Sequence, residues 1–128
     1  MTMQQSGHLG AVGHFAMMVA QRDMVGVCIT AGGSSALPTF GVEGRQGTNS
    51  ISIAAPAPRE PAVLFDAATS AVALNKIRLA KRLEADLRPN RAADMDGNPI
   101  IEELPAPARG EFYGLPIGVT REQHSHKG

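Results

Sequence analysis

The sequence is short of aromatic residues and of net charge, and each shortage excludes a class of protein. Its 128 residues contain no Trp and only 4% aromatic residues, so the core must be built from aliphatic side chains. The 12 Lys and Arg balance the 12 Asp and Glu, which removes the electrostatic basis for general binding to nucleic acid or anionic membranes. The 43% of hydrophobic residues is an ordinary globular value, so the composition predicts a folded domain.

Cysteine and long apolar runs are also scarce. The single cysteine, Cys28, cannot form an internal disulfide, which is typical of a reducing compartment. It lies in the apolar run MVGVCIT, where a small buried side chain is favoured over a nucleophile. No run approaches the roughly 20 apolar residues of a membrane span, and the first residues lack the basic flank of a signal peptide. The sequence therefore predicts a soluble, cytoplasmic protein.

Hydropathy patterns predict both helices and strands. A mostly apolar segment at 10–23 predicts a buried helix, and 69–87 predicts a second helix with Thr69 or Ser70 as its N-cap. Strands are predicted at 24–31 (buried), at 49–56 (half-buried) and at 62–68 (interior), around a Gly-, Ser- and Pro-rich loop at 32–47. No helix follows the strand at 24–31, so a doubly wound parallel sheet is not supported. We expect one α+β (mixed α/β) domain over residues 1–128.

A histidine and three glycines mark the start of the first predicted helix. Gly7, Gly10 and Gly13 recur every third residue, which is not the dinucleotide fingerprint. They allow close backbone approach at a helix N-terminus, where free N–H groups attract an anion or a carbonyl oxygen, although a packing role is equally consistent. His8 lies among them, where a lone histidine is most often structural.

Three other segments are candidate sites. Asp66 closes an apolar strand ahead of a helix, so its carboxylate either faces a ligand at the strand end or caps the helix. The segment TAGGSS lacks the Lys-Ser/Thr ending of a P-loop, which excludes a triphosphate site. His124 and His126 lie near Glu122 without further ligands, so no metal site is predicted.

Four segments together resemble the malate/L-lactate dehydrogenase family, which includes ureidoglycolate dehydrogenase and Δ1-piperideine-2-carboxylate reductase and is distinct from the Rossmann-fold enzymes. They are SGHLGAVGHFA, GTNSISIAAPAP, FDAATSAVALNKIRLA and LPIGVTREQHSHKG. The resemblance implies the central cofactor-binding domain of that fold, incomplete at both ends. It also implies NAD or NADP as cofactor, a small 2-hydroxy or 2-oxo acid as substrate, and a homodimer when full length.

The same resemblance implies roles for individual residues. His8 matches a histidine that acts as acid/base at the substrate carbonyl. The implied cofactor contacts are Leu9, Gly10, Ala11, Val12, Gly32, Asp66, Ala67, Ala68 and Lys127. Gly32 stands where relatives often have a Ser, so a side-chain contact is lost there. Ser50 replaces the usual Pro, and Val42 stands where an Arg is expected beside Glu43.

Two kinds of function therefore remain open. The first is an NAD(P)-dependent oxidoreductase, in which imidazole, a group that exchanges protons near neutral pH, serves the proton step. The second is a stand-alone cofactor-binding module without catalysis.

Overall fold

Short helices and strands alternate along the chain, as its patterning predicts. The structure is a computed structural model that describes residues 2–118. Its elements are α1 (Val12–Ala20), β1 (Gly26–Ile29), β2 (Ile51–Ala55), β3 (Val63–Ala67), α2 (Leu74–Arg82), β4 (Asp86–Leu87), β5 (Ala92–Ala93), β6 (Leu104–Pro105) and β7 (Tyr113–Gly114). This mixture confirms the α+β (mixed α/β) class. Within residues 2–118, no helix is long and apolar enough to cross a membrane.

Chain contacts divide the molecule into two compact units. Among the described residues, the first contains 2–30 together with 50–67, and the second contains 31–49 together with 68–118. Each unit has its own buried apolar cluster. The expectation of a single domain over 1–128 stays a prediction.

The first unit is an antiparallel sheet in the order β1-β2-β3, with α1 packed on one face. Small side chains make this packing close: Ala16 and Ala20 of the helix meet Ala54 of β2, and all three are buried. On the same face the Ser52 hydroxyl, also buried, donates to the Phe65 carbonyl at 3.1 Å. The period-2 alternation predicted for β2 is therefore present, and its serine lies on the covered side.

The face of this sheet opposite α1 is apolar and exposed. Val27, Ile53 and Phe65 lie side by side across the three strands and remain 60%, 42% and 55% exposed. The strands at 24–31 and 62–68 were predicted to be buried and interior, and that prediction is wrong. The reason is that α1 covers only one face of the sheet, whereas a continuous apolar run predicts a strand that is buried on both faces.

The second unit holds α2 and two short antiparallel strand pairs, β4-β6 and β5-β7. Its largest fully buried apolar side chain is Ile77, which clusters with Leu87, Ala92 and Ala106. The segment 32–47 contains no named strand, as expected of a loop, and Ala36 forms isolated β-bridges with Gln46 and with Gly114.

The predicted start of α2 is wrong, because the helix begins about one turn later than predicted. The helix begins at Leu74, and its N-cap residue is Ala73. Both predicted caps bond elsewhere: the Thr69 hydroxyl donates to the Thr48 carbonyl at 3.0 Å, and the Ser70 hydroxyl donates to the Val72 carbonyl at 3.0 Å. The Ser70 bond is local and competes with helix capping, whereas the Thr69 bond joins residues 21 positions apart.

Candidate active site

His8 lies in an exposed turn just before α1, and one hydrogen bond fixes its ring. The Gly10 backbone N–H donates to His8 Nδ1 at 2.9 Å. Gly10 has a φ of +71°, a left-handed conformation that glycine adopts without strain. Because Nδ1 accepts, the neutral ring carries its proton on Nε2. Among the described residues nothing bonds to that Nε2–H, so it is available to a ligand.

The backbone around His8 is open to a flat ligand. A Cβ built on Gly7 or Gly10 would meet no heavy atom within 4 Å. Ala11 is exposed and Leu9 half-buried, but Val12 is only 5% exposed. The side chain of Val12 therefore belongs to the packing of α1, and a cofactor can meet that residue only through its backbone.

Asp66 contacts the start of α1. Its Oδ2 accepts the Gly13 backbone N–H at 2.9 Å, across 53 residues of sequence. The sequence left two roles open, a ligand contact at the strand end or a cap for the helix that follows. The carboxylate instead bonds to the preceding helix, α1, where a negative charge is stabilised by the helix dipole.

Of the other candidate residues, Gly32 and Ala68 belong to the second unit, and Ala67 ends β3 in the first unit. The Gly32 N–H donates to the Asn49 side-chain oxygen at 2.9 Å. Ala67 and Ala68 are both half-buried. Lys127 lies outside the described residues, as do Glu122, His124 and His126 of the terminal histidine segment.

Sequence reasoning missed Gly13 and Asn49 as partners of two candidate residues. The sequence shows Gly13 as part of the glycine repeat. Its burial beside the Asp66 carboxylate is visible only in the folded sheet. Asn49 lies in the GTN segment, and its side chain orders the loop at Gly32. The sequence signal for this contact is the residue type alone: Asn side chains often form hydrogen bonds with the backbone of loops.

Comparison with known proteins finds relatives along nearly the whole chain. The family model for malate/L-lactate dehydrogenase matches residues 1–128. A malate dehydrogenase from Pyrococcus horikoshii is 36% identical over 120 residues, which cover 87% of this chain and 33% of that protein. An NAD(+) ureidoglycolate dehydrogenase from Escherichia coli O157:H7 is 28% identical over 118 residues, covering 88% and 34%.

A solved structure shares the fold. The Δ1-piperideine-2-carboxylate reductase from Pseudomonas syringae superposes with a TM-score of 0.74 at 27% identity, covering 84% of this chain and 32% of that one. The chain thus spans about a third of the length of the relatives it matches. The resemblance carried by the four sequence segments is confirmed, and the chain belongs to the malate/L-lactate dehydrogenase family.

Proposed function

We propose that this chain carries acid/base and cofactor-binding residues of an NAD(P)-dependent oxidoreductase acting on a small 2-hydroxy or 2-oxo acid of the malate, lactate or ureidoglycolate type. Family membership supports an oxidoreductase. The acid substrate is supported by the names of the relatives, a malate dehydrogenase and a ureidoglycolate dehydrogenase among them.

The observation that carries this proposal is the hydrogen bond from the Gly10 N–H to His8 Nδ1. It holds the ring in an exposed segment where Nε2–H can donate a hydrogen bond to a substrate carbonyl oxygen. For the transfer itself the ring is protonated on both nitrogens and the Gly10 N–H releases Nδ1. The imidazolium then gives its Nε2 proton to the oxygen and keeps its Nδ1 proton. In the reverse direction the neutral ring, with its proton on Nδ1, accepts the hydroxyl proton at Nε2. His8 is therefore the catalytic residue that we assign.

The residues around His8 fit a nicotinamide cofactor, since Gly7 and Gly10 leave the backbone uncovered on the side where a Cβ would lie. When bound, the nicotinamide supplies or accepts the hydride. The residues that we propose to hold the cofactor, NAD or NADP, are Leu9, Gly10, Ala11, Val12, Gly32, Asp66, Ala67, Ala68 and Lys127. Contacts through backbone groups are expected at Val12, because its side chain is buried.

The remaining proposals concern assembly and location. We propose a homodimer for the full-length enzyme, on the family resemblance. The single Cys28 has no disulfide partner in this sequence, which supports a cytoplasmic location.

The test is a substrate panel on the longest polypeptide that the gene encodes. Oxidation of NADH and NADPH is followed with pyruvate, oxaloacetate, glyoxylate and other 2-oxo acids. We expect turnover with at least one acid, abolished or strongly reduced by His8→Ala. Binding of NADH without turnover of any acid would instead identify a cofactor-binding module.

A further inference from the structure

We infer that Asp66 is a positioning residue: its carboxylate anchors the N-terminus of α1 to the sheet and so holds the His8 turn in place. The inference rests on the proposed function only in giving His8 a chemical role. The geometry itself is independent of that role. Asp66 touches neither His8 nor Gly10 through any hydrogen bond of the described structure, so its effect must pass through the helix start.

The anchor is a charge-assisted hydrogen bond between distant parts of the chain. The Gly13 N–H belongs to the first turn of α1 and donates to Asp66 Oδ2 at 2.9 Å. This helix has no side-chain cap of its own, because Ala11 stands at the N-cap position and the first turn contains no acidic residue. Asp66 therefore supplies from β3 the negative group that helix starts usually take from their own sequence.

The absence of a side chain at residue 13 is what lets the carboxylate reach the helix. A Cβ on Gly13 would lie 2.6 Å from Asp66 Oδ2 and 3.2 Å from a Leu64 methyl carbon. Both neighbours are side chains of β3, so an added methyl group would push the strand's side chains away from α1. Gly13 and Asp66 are therefore matched to each other, and a change at either should disturb the same bond.

The path from this bond to His8 is short. Gly13 lies three residues after Gly10, whose N–H holds His8 Nδ1, and the intervening Ala11 carbonyl accepts the His14 N–H at 3.2 Å. Within described residues 6–13, the Asp66 contact is the one side-chain hydrogen bond that reaches another element. Without it, the turn that carries His8 would be placed only by the apolar packing of α1, through Val12, Ala16 and Ala20.

A second consequence concerns anions. Free N–H groups at a helix start attract carboxylates and phosphates, which is why the glycine repeat first indicated an anion site. Here Asp66 already places a negative charge at the start of α1. The anionic groups of substrate and cofactor must therefore find their partners elsewhere.

Four variants test the inference: Asp66→Ala, Asp66→Asn, Gly13→Ala and, as the matched control, Gly33→Ala, where a Cβ has open space. NMR spectra report the Gly10 and Gly13 amide protons and the His8 ring nitrogens. We expect Asp66→Ala and Gly13→Ala to move all of these signals. Asp66→Asn keeps an oxygen acceptor and should restore most of the native pattern. Gly33→Ala should leave the His8, Gly10 and residue 13 signals in place.

Steady-state kinetics of the full gene product give a second readout. A positioning role predicts that Asp66→Ala and Gly13→Ala lower kcat to a similar extent. Any rise in the KM for NADH should be shared by both variants and should accompany moved His8 and Gly10 signals, because the proposed cofactor contacts at residues 9–12 lie in the same segment. A raised KM for NADH with unmoved His8 and Gly10 signals would overturn the inference in favour of direct cofactor contact. A lowered melting temperature with unmoved signals would overturn it in favour of a merely structural role.

If Asp66→Ala fails to fold, Asp66→Asn and Gly13→Ala decide the question. A wild-type gene product that turns over no 2-oxo acid would refute the proposed function and leave the NMR result to decide the positioning alone.

Discussion

Gly26, the first residue of β1, lies against the backbone of Ala16 in α1. A Cβ at Gly26 would overlap the Ala16 carbonyl oxygen and lie 2.9 Å from Val19 Cβ. Both Gly26 and Ala16 are buried. The close approach of helix and sheet in the first unit therefore depends on the absence of a side chain at residue 26.

Gly26→Ala should destabilise the first unit, because the added methyl group meets backbone that cannot rotate away. We expect a loss of about 1–3 kcal/mol, the usual cost of overpacking a core. Urea denaturation followed by circular dichroism measures it. Gly7→Ala is the control, since that glycine has open space around it. Equal stability of the two variants would show that helix and strand can separate without cost.

His8→Ala in the full gene product should lower turnover by roughly 10²–10⁴-fold, the range for loss of a general acid/base. The affinity for NADH should change little, because a histidine that transfers a proton contributes mainly to the reaction step. His14→Ala is the matched control: His14 is also exposed, and its ring meets Phe15 edge-on at 5.5 Å. Unchanged turnover in the His8 variant would remove that residue from the mechanism.

Gly32→Ser should fold normally and strengthen cofactor binding. A Cβ at Gly32 would lie 3.5 Å from its nearest neighbours, an ordinary contact distance. The substitution introduces the hydroxyl group that the family resemblance places at this position. Gly33→Ser is the control, because it adds the same hydroxyl group at the neighbouring residue, where a Cβ also has open space. Titration of NADH with each variant measures the effect, and weaker binding by Gly32→Ser would contradict the cofactor role of this loop.

The turn at 94–98 should lose stability in acid. Hydrogen bonds donated by the Asn98 side chain, and then by the Asn98 backbone, lower the pKa of Asp94 below its ordinary value of about 3.9. A depressed folded pKa means that the charged carboxylate stabilises the turn above about pH 4, and that this stabilisation is lost as pH falls through the folded pKa. Carbon NMR titration of Asp94 measures the midpoint. In Asn98→Ala the midpoint should rise toward the ordinary value, and an unchanged midpoint would assign the shift to other groups.

A polypeptide of these 128 residues alone should show no measurable dehydrogenase activity. The chain covers only 33% of the length of the Pyrococcus horikoshii malate dehydrogenase, and precise orientation of reactants supplies much of an enzyme's rate. Oxidation of NADH and NADPH with pyruvate, oxaloacetate and glyoxylate is the assay. Turnover above background that His8→Ala abolishes would show that this chain is catalytically sufficient.

The fold class and the positions of α1, β1, β2 and β3 are predictable from the sequence, because each has a clear hydrophobic period or β-branched run. Burial was harder to predict. The apolar run at 24–31 was expected to be covered on both faces, yet Val27 and Ile29 are 60% and 66% exposed. Local composition reports that a side chain is apolar, and it does not report whether a second layer covers it.

Candidate residues were predictable and their partners were not. His8 and Asp66 stand out by type and position, whereas the bond from Gly13 to Asp66 joins residues 53 apart. The start of α2 was misplaced for a similar reason, since the Thr69 hydroxyl bonds to Thr48, a residue 21 positions away. Contacts between residues this far apart in sequence form only when the sheet and loops are complete, so no local sequence pattern predicts them.

The uncovered sheet face formed by Val27, Ile53 and Phe65 governs how the purified chain behaves in solution. The formal net charge is zero and the isoelectric point is near 6.9, so electrostatic repulsion between molecules is weakest at neutral pH. With no repulsion, water-exposed apolar side chains are free to meet one another, and warming or sulfate strengthens that attraction. We therefore expect colloidal stability to improve in a buffer away from neutral pH, at low temperature and without kosmotropic salt.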